Sequence, residues 1–289
     1  MRRHRIRSLA LVVAALAIPA VSPAASPATG GGEDAPRAAA DAALPPVYVP
    51  GALAGDDPQI WTFVWAQNNG SADAVVRPLA TWSPSGEHDL AQSDPVTIAP
   101  GDAKYLYLHT VPDPRDAVQF LALSVPPGVV IRAALQRVQA ADFAGALTLP
   151  TFTSLVPAGT RTIAGNFRAS WAECLPPGVP RRLNVTLFNA GDVAATFHVA
   201  VLTRDHGIDT GPPSRPGGPT EAEYVVPART VRQVNGVAYD VGVLCSRPGW
   251  EMGWVEITAD QPYLAYASTV REAAPGVLPY EVFPAVAGR

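Results

Sequence analysis

The side chains that most often do chemistry are scarce in this chain and stand apart. The histidines are His4, His88, His109, His198 and His206, and no two share a metal-ligand spacing such as HExxH. The densest cluster is Asp205-His206 with Asp209, at the start of a Gly/Pro-rich stretch from Gly207 to Pro219. It reads as a solvated loop tip, with a weak cation contact as the sharper alternative. No GxSxG elbow is present, and Ser71 and Ser85, which adjoin glycine, fall in turn sequences. The acids are scattered over loops, so no carboxylate pair is placed to flank a substrate bond. Gly30-Gly31-Gly32 precedes no strand–helix unit and is not a phosphate loop. Asn184-Val185-Thr186 has the form of a glycosylation sequon but lies within a strand pattern. Lys104 is the only lysine, hence the one amine available for an isopeptide crosslink; the expectation is a surface charge. No cofactor is implied.

Four other residues are candidates for a site. Cys174 and Cys245 are the two cysteines. In an exported chain an isolated pair is expected to form one disulfide, worth about 4 kcal/mol on the chain-entropy model. Two free thiols are the alternative, and without nearby histidines the pair lacks the four ligands of a metal centre. Trp250 and Trp254 flank Glu251-Met252-Gly253 a few residues after Cys245. Paired tryptophans on a sheet can stack on sugar rings or anchor a partner. Packing beneath the loop that the disulfide ties down is the plainer expectation. Trp61, Phe63 and Trp65 share one strand face by their spacing, which predicts core or a domain interface.

The elements that must hold these residues are short. The chain has 289 residues, 48% of them hydrophobic and 16% charged, enough for about two domains with their own cores. Its 31 prolines and 24 glycines punctuate it too often for long helices and favour many short strands. Net charge is −4. So acidic a protein repels phosphate backbones and anionic lipid surfaces, which argues against nucleic acid as a partner.

The N-terminus has its own logic. Met1 to Arg7 is basic, Leu9 to Ile18 is apolar, and small residues follow through Ser22-Pro23-Ala24 and Ser26-Pro27-Ala28. That is the layout of a cleaved secretory signal peptide, expected over residues 1–28, and the apolar run is too short for a comfortable membrane span. Cleavage removes Arg2, Arg3, Arg5 and Arg7 and no acid, so the mature chain is more acidic still. No cysteine adjoins the apolar run and the C-terminus carries no apolar tail, so release from the membrane is expected. The location implied is secreted, periplasmic or on the exterior of the cell envelope.

From Leu44 onward, past a Gly/Ala-rich linker over 29–43, the pattern repeats in order. Thr62 to Asn68-Asn69-Gly70 matches Leu183 to Asn189-Ala190-Gly191, and each reads as a strand entering an Asn-x-Gly hairpin. In the second copy Leu183, Val185 and Leu187 alternate with Asn184 and Thr186, the period of a half-buried strand. Asn and Gly tolerate positive φ, which would explain the turn. Return strands over 75–82 and 194–203 follow; Pro78 predicts an edge or a bulge in the first. Val96-Thr97-Ile98-Ala99-Pro100-Gly101 then matches Tyr224-Val225-Val226-Pro227-Ala228. Strands over 120–125 and 129–138 mirror 253–258 and 263–270, and both copies close on a Leu-Pro strand. The predicted fold is all-β, two tandem Ig-like β-sandwich domains over 44–153 and 154–289. A single larger barrel is the alternative.

This succession resembles the Ig-like modules of exported bacterial proteins, including the cell-adhesion-related CARDB type. Asn68 to Gly70, Asn189 to Gly191, Ile98 to Gly101 and Val226 to Ala228 carry the likeness. It implies a hairpin at each Asn-x-Gly and a structural or adhesive role, and it brings no catalytic residue with it. The expected function is thus a non-enzymatic structural or interaction protein whose partner is a protein or a cell-surface glycan. A carbohydrate-binding accessory module acting through Trp250 and Trp254 is the second expectation. An enzyme using the loop between Arg204 and Ala222 is the third.

Overall fold

The computed structural model describes residues 44–52, 60–90, 94–106, 118–137, 147–170, 182–205, 221–237, 250–270 and 280–287. The elements these residues form are strands, joined by turns and short loops. In chain order they are β1 (Val47–Ala52), β2 (Ile60–Asn68), β3 (Ala74–Ser83), β4 (Gly86–Asp89), β5 (Val96–Ile98) and β6 (Ala103–Tyr105). Then come β7 (Val118–Ser124), β8 (Val129–Arg137), β9 (Leu147–Leu149), β10 (Thr162–Ser170), β11 (Arg182–Asn189) and β12 (Ala195–Asp205). The last six are β13 (Glu221–Val226), β14 (Thr230–Asn235), β15 (Trp250–Ala259), β16 (Tyr263–Val270), β17 (Tyr280–Pro284) and β18 (Val286–Ala287).

All pairings are antiparallel and sort the strands into four sheets, numbered here by their order of packing. Sheet I runs β6-β2-β8-β9; sheet II runs β1-β7-β3-β4, with β5 also on β3. Sheet III runs β14-β11-β16-β17 and sheet IV runs β13-β12-β15-β10-β18. The order in sheet I recurs in sheet III, and β1-β7-β3-β5 of sheet II recurs in sheet IV as β10-β15-β12-β13.

Three apolar clusters glue the layers in sequence. Val64, Ala66, Val76, Ile98, Leu121, Leu123 and Ile131 join sheets I and II. Leu183, Val185, Leu187, Phe197, Val199, Val255 and Ile257 join sheets III and IV. The third lies between sheets II and III and is aromatic. The described residues accordingly cohere as one compact unit.

The two Asn-x-Gly segments are not hairpins, contrary to expectation. β2 pairs with β6 and β8, whereas β3 pairs with β4, β5 and β7, so the chain at Asn68–Gly70 arches from sheet I to sheet II. The same arch at Asn189–Gly191 leads from sheet III to sheet IV. The reason for the residue type differs too, because neither asparagine nor either glycine has a positive φ. What the arch needs is the asparagine amide. Asn68 is 1% exposed; its Oδ1 accepts from the Gly70 N–H at 2.8 Å, and its Nδ2 donates to Ala72 O at 2.8 Å and Ile98 O at 2.9 Å. Asn189, wholly buried, repeats this on Gly191 N at 2.9 Å, Val193 O at 2.8 Å and Val226 O at 3.0 Å, and adds Pro227 O at 3.0 Å. One side chain thus closes its own arch and ties it to the next crossing between sheets. The space beside Gly191 is tight: a Cβ there would sit 3.0 Å from Gln261 Cβ and 3.1 Å from Asn189 Oδ1.

Two further expectations are corrected. β11 is buried on both faces, because Asn184, Thr186 and Phe188 turn toward sheet II while Leu183, Val185 and Leu187 enter the core with sheet IV. It is not half-buried, and a buried Asn184 is no glycan acceptor. In β2 the core face is Val64, Ala66 and Asn68; Phe63 and Trp65 are half-buried on the opposite, outward face. The side chain of Trp61 lies outside the described residues. The bulge expected at Pro78 is present, since the β3–β7 register shifts between Pro78 and Ala80. Its effect is to turn over the strand: Val76 faces sheet I, while Ala80 and Trp82 face sheet III.

Asn189→Ala removes four hydrogen bonds and leaves buried carbonyls unpaired, so it is expected to cost about 3 kcal/mol or more in urea unfolding. Asn189→Asp is expected to be worse at neutral pH, because a carboxylate would face the carbonyls that the amide now satisfies.

Candidate interaction surfaces

The surface that fixes all the others is the one already engaged. Between sheets II and III, Phe188 stacks on Phe120 with centroids 5.2 Å apart and lies 4.9 Å from the Trp82 ring. Tyr48 borders Trp82 at 6.0 Å, and Phe120 meets Tyr266 at 5.9 Å. Val231 and Leu264 complete the seam on sheet III. Aromatic pairs at these distances each add about 0.5–1.5 kcal/mol to their burial.

At the edge of the seam Arg229 reaches both sides. Its guanidinium donates to Asp192 Oδ1 at 2.7 and 3.1 Å and lies 3.9 Å from Glu87 of β4. The hydrogen bond to Asp192 is the first cause of its raised pKa. Arg229 has φ 54°, a left-handed conformation that costs a non-glycine residue about 1–2 kcal/mol. The ion pairs it reaches are exposed and offset only part of that strain.

Burial raises the phenol pKa of Tyr48, Tyr263 and Tyr266. Arg229 opposes the shift at Tyr48 and hydrogen bonding to Thr162 opposes it at Tyr263. Tyr263 Oη lies 2.8 Å from both Thr160 O and Ile257 O and donates its one hydrogen to either, which pins the entry of β10 over sheet III.

The residues singled out from the sequence are not brought together. Cys174, Cys245, His206 and Asp209 lie outside the described residues. So do the side chains of Trp250 and Asp205, whose backbones belong to β15 and β12. Trp254 is half-buried on the outward face of sheet IV, beside Gly165, where a Cβ would come within 3.2 Å of the Trp254 Cβ. On the same sheet His198 Nδ1 faces Glu223 Oε1 at 3.2 Å, both exposed. Lys104 is exposed and donates to Thr97 O at 2.7 Å. Among the described residues no three His, Cys, Asp or Glu side chains are grouped to hold a metal ion. No helix among them is long and apolar enough to cross a membrane.

A surface absent from the sequence-based expectations lies on the outward face of sheet I. Trp65 packs edge-on against Tyr105 with centroids 6.4 Å apart, and Tyr105 and Val130 are 52% and 41% exposed. Arg132 stands directly across from Trp65. The sequence did hold a signal for this. Asn68 must face inward, and counting back in twos puts Ala66 and Val64 inside and Trp65 and Phe63 outside.

No family model matches the chain, and no curated protein matches it. Among solved structures, one described as "Thermotoga maritima 1070" is 8% identical over 46% of this chain and 97% of its own, at TM-score 0.31. An anti-sigma factor domain-containing protein is 10% identical over 78% of this chain and 82% of its own, at TM-score 0.11. Neither likeness carries an assignment.

Because the seam is aromatic, the full chain is expected to unfold in one urea transition by both far-UV CD and tryptophan fluorescence. Phe188→Ala is expected to cost about 3–5 kcal/mol and to separate the two probes. The tyrosines set an alkaline limit. Their folded pKa values lie above the unfolded value of about 10, so the stability they confer is whole below that pH and is lost as pH rises beyond it. Thermal midpoints should fall above about pH 10, and less steeply in Tyr266→Phe.

Proposed function

We propose that this chain is an exported, non-enzymatic structural or interaction protein built from two tandem Ig-like sandwiches, sheets I with II and sheets III with IV. In this reading a signal peptide over 1–28 is removed and a Cys174–Cys245 disulfide staples the second sandwich. The observation that carries the reading is the use made of the aromatic side chains. They are placed in an inter-sheet seam and on outward sheet faces, and among the described residues no three His, Cys, Asp or Glu side chains gather beside them. The resemblance to adhesion-related modules supports the same role. An unfamiliar enzyme would have to place its groups in the loop between Arg204 and Ala222. The full chain is expected to show no turnover of generic ester, peptide or glycoside substrates. Activity abolished by a single acid or serine substitution would end the proposal.

A second reading, carbohydrate binding through Trp250 and Trp254, draws on the placement of Trp254 on an outward sheet face, only half-buried. Pull-down on cell-wall glycans with Trp250→Ala and Trp254→Ala tests it. Loss of retention supports this reading, and unchanged retention in both variants removes it.

A further inference from the structure

The outward faces of sheets I and IV are the register equivalents of the two faces docked on each other at the seam. The alignment needs no sequence similarity, because hydrogen bonds fix it. Asn69 N donates to Gly128 O at 2.8 Å, and Ala190 N donates to Pro262 O at 2.9 Å, which makes the β7–β8 and β15–β16 crossings correspond. Counting back from them, Trp254 occupies the place of Phe120. Counting forward, Val130 and Arg132 occupy the places of Leu264 and Tyr266. Lateral pairing gives the same answer independently: Phe120 lies opposite Trp82 in β3, and Trp254 lies opposite Leu202 in β12. Ala122 is flanked by Tyr48 and Ala80, as Glu256 is flanked by Ile163 and Ala200.

Sheet IV therefore presents Ile163, Ala200, Leu202 and Trp254 where sheet II presents Tyr48, Ala80, Trp82 and Phe120. At these four positions the substitution is apolar for apolar, with Ala200 and Leu202 only 9% and 8% exposed in the single copy, whereas Glu256 stands where sheet II has Ala122. Sheet I presents Gln67, Val130 and Arg132 where sheet III presents Phe188, Leu264 and Tyr266, with Trp65 and Tyr105 alongside.

We propose that copies of this chain stack head to tail, sheet IV of one copy docking on sheet I of the next in the geometry by which sheet II docks on sheet III. The occupant of each face is a second copy, argued from the register equivalence of both faces to an interface the fold already uses. The Phe120–Tyr266 contact of the seam, 5.9 Å between centroids, becomes Trp254 against Arg132, an aromatic face meeting a guanidinium. Val130, 41% exposed in the single copy, takes the buried position of Leu264. Glu256, which meets Arg161 at 3.3 Å within its own copy, comes near Arg132 of the neighbour. Fewer rings meet than at the seam, so this docking is weaker and reversible. The two faces differ, so each added copy leaves one free face of each kind, and the assembly is open rather than closed.

The inference rests on the structural or interaction reading, but its test is separate from turnover. Sedimentation velocity of the mature chain, up to about 1 mM where contacts of millimolar Kd become visible, is expected to show a continuous rise in mass with concentration. Val130→Glu/Arg132→Glu breaks only the sheet I face, and Trp254→Glu breaks only the sheet IV face. Each variant alone is expected to be monomeric, and an equimolar mixture to form a 1:1 pair and nothing larger. Arg132→Glu alone, at an exposed position that does not endanger folding, is expected to weaken association about tenfold, or 1.4 kcal/mol. A wild type that stays monomeric throughout would overturn the proposal. So would a singly broken variant that self-associates like wild type, or folded variants that fail to pair when mixed. A failure of this kind would leave the absence of turnover, and the reading it supports, untouched.

Discussion

Everything in this fold hangs on how the chain changes sheets. Antiparallel strands joined by hairpins satisfy their own backbone, but a chain that crosses from one sheet to the facing one strands polar groups at the edge of an apolar core. Asn68 and Asn189 resolve that problem with one amide each. The carbonyl oxygen takes the orphan N–H of the arch, and the amino group takes carbonyls of the arch and of the next crossing. Asparagine suits the position because its short side chain offers both a donor and an acceptor; aspartate lacks the donors and leucine lacks everything. With these two residues the paired sheets are held in register, and the apolar clusters between them can then pack.

The second constraint is that sheets II and III are covered on both sides. A strand in such a sheet cannot follow the half-polar alternation of a surface strand. β7 meets it by being apolar throughout its centre, with Leu121 and Leu123 on one face and Phe120 and Ala122 on the other. β11 meets it with Phe188 and with the small polar Thr186, both fully buried. β3 meets it by changing faces at a bulge, so that Val76 serves one core and Trp82 the other. Pro78 stands at that bulge because proline withholds a ladder N–H, and a bulge is where the ladder can spare one. Arg229 shows the opposite economy. It stands in the left-handed position that Gly101 occupies in the corresponding turn of the first set of strands, and its backbone strain is tolerated where its side chain spans the edge of the seam.

What the sequence made legible was local. The strand succession, the turn at Pro100-Gly101 and the bulge at Pro78 all follow from residue types whose backbone preferences are strong. Asn68 and Asn189 were legible as landmarks but not in their role, since Asn-x-Gly is equally a hairpin signal and only the pairing partners decide. The face of Trp65 was misplaced for a physical reason. Period-two spacing says which residues share a face and not which face is inside, and bulk is a poor guide where a core is filled by Val64, Ala66 and Ile131. The polar face of β11 was misjudged in the same way, because burial between layers is a tertiary fact that alternation within one strand does not carry. Trp82 could not have been placed by counting at all, since the bulge reverses the count.

The same logic bears on why the outward faces look as they do. If sheets I and IV met only water for their whole area, their outward positions would carry charge and threonine, as at Arg132, Thr148, Glu223 and Thr258. Instead Trp65, Tyr105 and Val130 on one sheet and Ile163, Leu202 and Trp254 on the other surround the single inner charges Arg132 and Glu256. An exposed tyrosine or valine alone means little, because much of any protein surface is apolar. A run of them at the positions that a sheet of the same strand order uses for docking means more. The strand order and register used at the seam therefore recur in the outer sheets, and side-chain chemistry decides whether those faces dock. Placing an arginine where the seam has a tyrosine keeps such a face soluble in the single copy, yet leaves it able to receive an aromatic ring.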